Sequence, residues 1–234
     1  MNGDYFFVRE PAWLYILFGF LVGTIPFGLF VSRIFFRRDI RDVGSGNIGA
    51  ANALRTFGRK AGISVLVLDA IKGIAAVLAA TNHVLYLVLY LTVAPPEIQR
   101  LAEHATSFTI DNGVAAPLAG LAAVIGHCYS PWLRFRGGKG VATFLGAAFA
   151  LSWESGVAFI LVWLAVVMPT GFSSLGSMLG TLVAAGVIGA TQRHAGPNAW
   201  IFAGAATAVI LWRHRENVRR LCNGSENRLS LLRR

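Results

Sequence analysis

The chain has 234 residues, of which 55% are hydrophobic and only 14% are charged. This composition excludes a disordered chain, which is charge-rich, and disfavours a soluble domain, which carries roughly 25% charged residues. Two cysteines are too few for a disulfide scaffold or a zinc cluster. The net charge of +10 suits either nucleic acid or anionic lipid, and the positions of the basic residues decide between them.

Apolar segments account for most of the chain. The first, residues 12–36, is long enough as a helix to cross a hydrocarbon core of ~30 Å, and the basic cluster that follows it is unlike a signal peptide. The others are residues 62–93, 113–129, 139–153, 155–169, 174–190 and 197–212. Some are short for a full span, but a soluble protein of this size could not bury so many apolar helices. The sequence therefore predicts one all-α polytopic membrane domain over residues 1–234, with about seven transmembrane helices.

The basic residues predict the orientation of this bundle. With seven spans, most Lys and Arg residues fall on one side, in the ranges 33–60, 134–139 and 213–234. By the positive-inside rule the amino terminus lies outside and the carboxyl terminus lies in the cytosol. This topology accounts for most of the net charge, so no nucleic-acid partner is required. The polar stretch 94–112 falls on the opposite side and is expected to form an outer loop.

A glycine-rich segment, residues 44–52 (GSGNIGAAN), follows the first helix, and Arg55 comes three residues later. It satisfies the pattern G-x-G-x-x-G, but the dinucleotide fingerprint needs a preceding strand, and here an apolar helix and FFRRDIRD precede it. A glycine-rich turn can also direct backbone N–H groups at an anion. An ordinary interhelical turn is the alternative. We favour the anion site, because a serine, two asparagines and an arginine share the segment.

A second glycine-rich segment, residues 137–140 (GGKG), lies at the start of the fourth apolar segment. It is not a Walker loop, because Leu133 stands where that pattern needs its first glycine. A flexible GGKG turn that begins a helix is nevertheless suited to phosphate. Lys139 would supply a point charge and Thr143 a hydroxyl one turn on. The sequence alone leaves His127 open between a helix-end structural role and catalysis.

The basic tail contains His214 and Asn217, which lie three residues apart and so are predicted to share a helix face. We expect these two residues to be functional, and we expect Arg219 and Arg220 to bind lipid headgroups. No cysteine–histidine grouping indicates a metal. His-x4-Asp and Gly-x-Ser-x-Gly motifs are also absent from the sequence.

Two further polar groups lie within apolar segments. Asp69 and Lys72 are three residues apart, and a buried charge needs a partner, so they are expected to pair with each other or with Arg55. Such a pair would be a structural staple or a substrate contact. Ser174 and Ser177 would donate to an anion, although serines in membrane helices more often pack or bond to the backbone.

In chain order, the segments GSGNIGAANALRTFGRKAG, LDAIKG, GHCYSPWLRFRGGKGVAT, SLGS and HRENVRRLCNGSE resemble motifs of the bacterial acyl-phosphate-dependent glycerol-3-phosphate acyltransferases, the PlsY family. The resemblance covers about residues 15–228. It implies a seven-helix inner-membrane enzyme whose active site lies at the cytosolic face. It also implies transfer of a fatty acyl group from acyl phosphate to the 1-hydroxyl of sn-glycerol 3-phosphate, as the first step of phospholipid synthesis, without cofactor or metal. An enzyme that produces acyl phosphate is the implied functional partner.

The resemblance also implies roles for individual residues. The first block would hold phosphate, the second and third would contact the substrates, and Glu226 would hold the tail in place. These blocks contain Ser45, Gly46, Asn47, Asn52 and Arg55, then His127, Gly138, Lys139 and Gly140, then His214 and Asn217. The catalytic candidates are Arg55, Lys139, His214 and Asn217. The chain departs from the family at Ala51, where a threonine is usual, and so lacks one hydroxyl in the first block.

Mechanism and function each retain an alternative at this point. Acyl phosphate is already activated, so we predict direct attack, with the hydroxyl proton passing to His214 or to a substrate phosphate oxygen. A transporter for a phosphorylated solute is the alternative function. Such a transporter would place its site near the midplane between paired repeats, whereas the sequence shows no repeat. Acyl carrier protein or acyl-CoA as donor is disfavoured by the absence of His-x4-Asp.

Overall fold

The computed structural model describes residues 12–81, 112–192 and 197–229, and these ranges are helical and contain no strand. Two single-turn 3-10 helices, Ile40–Asp42 and Pro131–Leu133, lie in connections. The α-helices are α1 (Ala12–Gly23), α2 (Phe27–Phe36), α3 (Ala50–Phe57), α4 (Arg59–Thr81), α5 (Asn112–Cys128), α6 (Val141–Leu151), α7 (Trp153–Thr170), α8 (Ser173–Thr191), α9 (Pro197–Arg213) and α10 (Arg215–Cys222). The predicted all-α class is confirmed.

Four helical stretches of the described residues are long and apolar enough to cross a membrane. They are Ala12–Phe36, Arg59–Thr81, Trp153–Thr170 and Ser173–Thr191. Helix α6 has 11 residues. At ~1.5 Å per residue it is about 17 Å long, roughly half of a ~30 Å hydrocarbon core. The count of seven spans and the orientation therefore stay predictions. Residues 94–111 of the predicted outer loop lie outside the described residues.

The first apolar segment is two helices rather than the single helix that we expected. Pro26 disfavours a helical conformation at the residue before it, and α1 ends at Gly23. The carbonyl groups left at this break find partners elsewhere in the chain. Lys72 of α4 donates to the carbonyls of Gly23 and Ile25 at 3.2 and 3.0 Å. The break is thereby attached to the centre of the bundle.

Small residues let the central helices approach until their backbones touch. A Cβ atom at Gly19 of α1 would overlap the carbonyl of Ala119 in α5. In the same way, a Cβ at Gly73 of α4 would overlap the carbonyl of Thr143 in α6, and one at Gly146 would overlap the carbonyl of Ala70. Close approach of this kind is typical of helix pairs in membranes. It brings α1 against α5 and α4 against α6.

Two apolar cores support the polar end of the bundle. The larger core runs through α4, α5, α6, α8 and α9, where the rings of Phe144 and Phe202 stack with centroids 5.5 Å apart. A smaller core contains Ile40, Ile48 and Leu133 and lies under the loops that precede α3 and α6. Both glycine-rich segments are thus held against packed helices.

Candidate active site

A cavity of about 440 Å³ lies at the end of the bundle where α3, α6 and α8 begin. First-turn residues of all three helices line it. The predicted site residues on its wall are Ser45, Asn47, Asn52, Arg55, Asp69, His127, Lys139, Gly140, Ser174, Ser177, His214, Asn217 and Glu226. The predicted residues Gly46, Lys72, Gly138 and Thr143 do not line it. The structure therefore brings the three sequence blocks to one place.

The cavity continues into an apolar arm between α4, α6 and α7. The arm is lined by Ile63, Leu66, Leu145, Phe159, Ile160, Trp163 and Leu164. Ile63 and Leu66 are 59% and 41% exposed on the outer surface of the bundle, so the arm opens sideways between helices. One end of the cavity is polar and the other is apolar, which suits an amphiphilic ligand.

Buried Asn52 organises the first glycine-rich loop. Its Oδ1 accepts the N–H of Ser45 at 2.9 Å, while its Nδ2 donates to three loop carbonyls at 2.9 to 3.1 Å. Those carbonyls belong to Ile40, Val43 and Asn47. The side-chain amide has no donor left for a ligand. The geometry therefore favours loop support over the phosphate contact that we predicted for Asn52.

Other groups of the first block remain available to a ligand. Helix α3 begins at Ala50, and the first N–H groups of a helix have no intrahelical acceptor. Ala50 and Ala51 line the cavity, as do Ser45 and Arg55. Gly46 has a φ of +68°, so its contribution is a backbone conformation that favours glycine. No strand precedes this loop within residues 12–81, in keeping with our rejection of a dinucleotide site.

The N–H groups of the second loop are only partly free. The N–H of Gly137 donates to the carbonyl of Cys128 and that of Gly138 donates to the carbonyl of His127, both at 3.1 Å. These two amides hold the loop to the end of α5. The free N–H groups lie further on, at the start of α6, where Val141 and Ala142 line the cavity. The N–H groups that are available to an anion therefore lie at the start of the helix rather than in the glycines of GGKG.

Lys139 supplies the positive charge of the second block. Its Nζ donates to Oδ1 of Asn217. The pKa of Lys139 is lowered to about 8, chiefly by burial; the charge of Glu226 opposes this shift and the neighbouring arginines add to it. The ammonium group is therefore still mostly protonated at neutral pH. It lies where it can contact an anion in the cavity.

His214 lies in the turn between α9 and α10 and is 2% exposed. Its Nδ1 is 2.8 Å from the carbonyl oxygen of Ile210, which can only accept, so Nδ1 carries the proton. Burial, followed by the nearby Lys139 charge, lowers the pKa of His214 to about 4. The ring is therefore neutral at pH 7, and Nε2 has a free lone pair. Asn217 follows in the first turn of α10, and both residues line the cavity.

Glu226 connects the tail to two helices. It accepts hydrogen bonds from Ser174 Oγ at 2.7 Å, Asn217 Nδ2 at 2.6 Å and Arg220 Nε at 2.8 Å. These donors hold the pKa of Glu226 below its usual value although burial acts in the opposite direction. This geometry is the one expected for the predicted anchoring role. It also gives Arg220 a partner in the protein, where we had expected a lipid headgroup.

Asp69, Lys72 and His127 form a buried polar group beneath the loops. Lys72 Nζ lies 2.8 Å from Asp69 Oδ1 and 3.0 Å from His127 Nδ1. Asp69 and Lys72 therefore pair with each other, which is one of the two arrangements that we considered, and not with Arg55. An ammonium group can only donate, so Nδ1 of His127 accepts and Nε2 carries the proton toward Gly138 and the cavity.

Of the remaining predicted residues, some line the cavity and others pack behind its wall. Gly140 has a φ of +82° and forms the turn into α6. Ser177 lines the cavity one turn beyond Ser174. Thr143 is fully buried against α4, and its hydroxyl has no hydrogen-bond partner among the described residues. Its role as a hydroxyl donor stays a prediction that this placement does not favour.

The sequence reasoning missed Arg213, which holds the second loop from the other side. Its Nε donates to the carbonyl of Gly138 at 3.0 Å and its Nη2 donates to the carbonyl of Gly137 at 2.6 Å. Arg213 is one of several arginines in the tail, and the sequence carries no signal that separates it from Arg215 or Arg219.

Known proteins resemble this chain over nearly its whole length. The family model described as glycerol-3-phosphate acyltransferase matches residues 13–224. A glycerol-3-phosphate acyltransferase of Zymomonas mobilis is 40% identical over 93% of this chain and 95% of its own length. One of Roseobacter denitrificans is 38% identical over 92% and 93%.

The solved structures of PlsY (YgiH), an integral membrane glycerol 3-phosphate acyltransferase, also match. The glycerol 3-phosphate form has a TM-score of 0.75 at 33% identity, covering 94% of this chain and 96% of that one. The lysophosphatidic acid form has a TM-score of 0.73 at 32% identity. Together with the apolar helices, these matches identify a multi-pass membrane protein. The chain belongs to the glycerol-3-phosphate acyltransferase family of PlsY.

Proposed function

We propose that this protein transfers a fatty acyl group from acyl phosphate to the 1-hydroxyl of sn-glycerol 3-phosphate. The products are 1-acyl-glycerol 3-phosphate (lysophosphatidic acid) and inorganic phosphate. The observation that carries the proposal is the cavity at the start of α3, α6 and α8, whose polar end has two cationic side chains and several helix starts and whose other end is an apolar arm. A related PlsY has been solved in glycerol 3-phosphate and lysophosphatidic acid forms, which supports the acceptor and the product.

The polar end has the groups needed for two phosphates. One set consists of the first N–H groups of α3 with Arg55, and the other of the first N–H groups of α6 with Lys139. The N-terminus of a helix carries a partial positive charge and unpaired donors, both of which favour a phosphate. Ser45 and Ser177 add hydroxyl groups to the same wall.

The apolar arm has the shape and position required for the acyl chain. Because it opens sideways between α4 and α7, a chain that enters from the bilayer exchanges one apolar surrounding for another. The acyl phosphate would then lie with its tail in the arm and its headgroup at the polar end. Glycerol 3-phosphate, which has no apolar part, would enter from the water.

The reaction is a direct acyl transfer. The 1-hydroxyl oxygen attacks the acyl carbon, and the bond from that carbon to the phosphate oxygen breaks. Lys139 and the α6 N–H groups stabilise the negative charge that develops on the carbonyl and the departing phosphate. The hydroxyl proton passes to Nε2 of His214 or to a phosphate oxygen of the substrate. No covalent acyl-enzyme, cofactor or metal is needed.

We place the cavity at the cytosolic face of a bacterial inner membrane, in one membrane domain of seven spans with its amino terminus outside. The support is the concentration of arginines at the cavity end, on α2, α3 and α10 and in the loop before α6. A cytosolic enzyme that produces acyl phosphate would supply the donor. A polar end confined to one end of the bundle does not suit a transporter, whose substrate site lies near the midplane.

A donor comparison tests the proposal. The purified protein in detergent is given glycerol 3-phosphate with acyl phosphate, acyl-CoA or acyl carrier protein of the same chain length, and lysophosphatidic acid is measured. We expect turnover with acyl phosphate alone. Turnover with a thioester donor and none with acyl phosphate would disprove the donor assignment. Substrate binding without turnover from any donor would favour a transporter.

A further inference from the structure

Arg213, the last residue of α9, holds two consecutive peptide groups of the second loop. Its Nη2 donates to the carbonyl of Gly137 at 2.6 Å and its Nε donates to that of Gly138 at 3.0 Å. The guanidinium carbon also lies 5.5 Å from the centroid of the Tyr129 ring. The planar fork of an arginine can satisfy two acceptors at once, whereas a lysine ammonium is a point donor on a flexible stem.

The same two glycines are held on their other side by α5. The N–H groups of Gly137 and Gly138 donate to the carbonyls of Cys128 and His127. A Cβ at Gly138 would overlap the His127 ring, so the loop backbone lies directly on that side chain. The loop is therefore fixed between the end of α5 and Arg213, because the N–H and C=O groups of both glycines are hydrogen-bonded.

The clamp connects three groups that line the cavity. Lys139 is the residue after the clamped peptides, His214 is the residue after Arg213, and His127 packs under Gly138. A shift of the loop relative to α9 would move Lys139 away from Asn217 and change the distance between Lys139 and His214. Arg213 thus determines the register between the second and third sequence blocks.

We propose that Arg213 is a positioning residue that acts through Lys139, an inference that rests on the proposed acyl transfer. A role in binding lipid headgroups does not account for the geometry, because Arg213 is partly buried and two of its donors are occupied by loop carbonyls. A misplacement of about 1 Å in a catalytic group can cost on the order of 10²-fold in rate. The clamp is expected to contribute on that scale.

The test compares Arg213→Gln and Arg213→Lys with matched changes at Arg219, which is exposed on α10. We expect Arg213→Gln to lower kcat on the order of 10²-fold and Arg213→Lys on the order of 10-fold, because the lysine keeps the charge but loses the fork. Arg219→Gln and Arg219→Lys are expected to stay within twofold of wild type. Should Arg213→Gln not be obtained folded, Arg213→Lys alone decides, and activity within twofold of wild type would overturn the inference.

A double-variant cycle separates positioning from a general loss of folded protein. If Arg213 acts through Lys139, then Arg213→Gln should lower activity less than threefold in a Lys139→Met background. If Arg213→Gln lowered the activity of Lys139→Met by the same factor as it lowers the activity of the wild type, the inference would be contradicted.

Hydrogen exchange gives a readout that does not depend on the acyl donor or on enzyme activity. In Arg213→Gln, exchange is expected to rise for the amides of Gly137 and Gly138, while α4 and α5 keep their protection. Unchanged exchange at these two amides would also overturn the clamp. Wild-type protein that turns over no acyl phosphate would instead refute the proposed function, and the exchange measurement would still report on Arg213.

Discussion

Lys139 and His214 are both buried at the cavity, but burial affects their chemistry in different ways. It lowers the pKa of Lys139 to about 8, so the charge is retained at neutral pH but close to being lost. It lowers the pKa of His214 to about 4, so the ring is neutral and is a weak base. Lys139 is therefore suited to contact an anion, and the neutral imidazole of His214 is suited to accept a proton.

The first prediction concerns pH. Lys139 must be protonated to stabilise developing negative charge, so kcat/KM should be maximal below pH 8 and should fall as the pH rises through about 8. Arginine stays protonated over this range, so Lys139→Arg should lower the maximal rate but remove the alkaline decline. The measurement is the initial rate of acyl transfer from pH 6 to 10. An alkaline decline that persists unchanged in Lys139→Arg would contradict the assignment.

The proton acceptor is decided by a single variant. Nε2 of His214 is the free ring nitrogen, so we expect His214→Ala to lower kcat on the order of 10²-fold, the usual contribution of a general base. The variant must not displace Asn217, which lies three residues later and accepts a hydrogen bond from Lys139. An unchanged KM for glycerol 3-phosphate is the control for this contact. Near-normal turnover of His214→Ala would assign the proton to a phosphate oxygen of the substrate.

Ala51 offers a gain-of-function test in the first block. It lines the cavity in the first turn of α3, beside the predicted phosphate position. We expect Ala51→Thr to add a hydroxyl donor and lower the KM for one phosphate-bearing substrate by about two- to tenfold, the value of a single hydrogen bond of roughly 0.5–1.5 kcal/mol. Ala51→Val, which has the same shape without the hydroxyl, is the control. Equal KM values for the two variants would show that the hydroxyl contacts no substrate.

At the scale of the elements, α4 joins the broken first span to the cavity through one buried ion pair. Lys72 and Asp69 are 1% and 2% exposed, and Lys72 also holds the carbonyls at the end of α1. Removing one partner of a buried pair leaves an uncompensated charge, which costs about 3–5 kcal/mol. Replacing both with apolar groups avoids that cost.

This ion pair gives a stability prediction. Lys72→Met should lower the thermal unfolding midpoint in detergent substantially, and Lys72→Met with Asp69→Leu should recover a large part of the loss. Differential scanning fluorimetry on the purified variants measures both changes. A double variant that is less stable than Lys72→Met would show that Asp69 contributes through a partner other than Lys72, such as His127 at 3.6 Å.

The long apolar helices were predictable from the sequence because long apolar runs are a local signal, but the break at Pro26 within the first run and the short helix α3 were not predicted. Helix α6 and the segments around it needed no tertiary information, and the GGKG turn was expected to begin a helix. Partner choice was not predictable. The side chain of Asn52 could donate hydrogen bonds to a phosphate, but in the structure it donates to loop carbonyls. Arg213 has the same side chain as Arg219, but it lies beside the second glycine-rich loop and binds its carbonyls. Such choices depend on which backbone groups the fold brings near.

For the whole molecule, the two cysteines allow the proposed orientation to be tested. Both are free, with Cys128 buried and Cys222 exposed at the end of α10. If the carboxyl end is cytosolic, a membrane-impermeant maleimide should label Cys222 in inverted vesicles and not in intact spheroplasts. Any labelling that remains in the Cys222→Ser variant comes from Cys128. Labelling of Cys222 in spheroplasts alone would place the cavity on the outer face.

The central claim is that one cavity binds two phosphate-bearing substrates through Arg55 and Lys139 and transfers the acyl group between them. The most direct measurement is the rate of lysophosphatidic acid formation from acyl phosphate by purified Arg55→Gln, Lys139→Gln and the double variant, with Arg219→Gln as control. We predict that each single variant loses at least tenfold in kcat/KM, consistent with a lost charged hydrogen bond of roughly 1.5–3 kcal/mol, and that the control stays within twofold. Wild-type rates from the double variant would contradict the account.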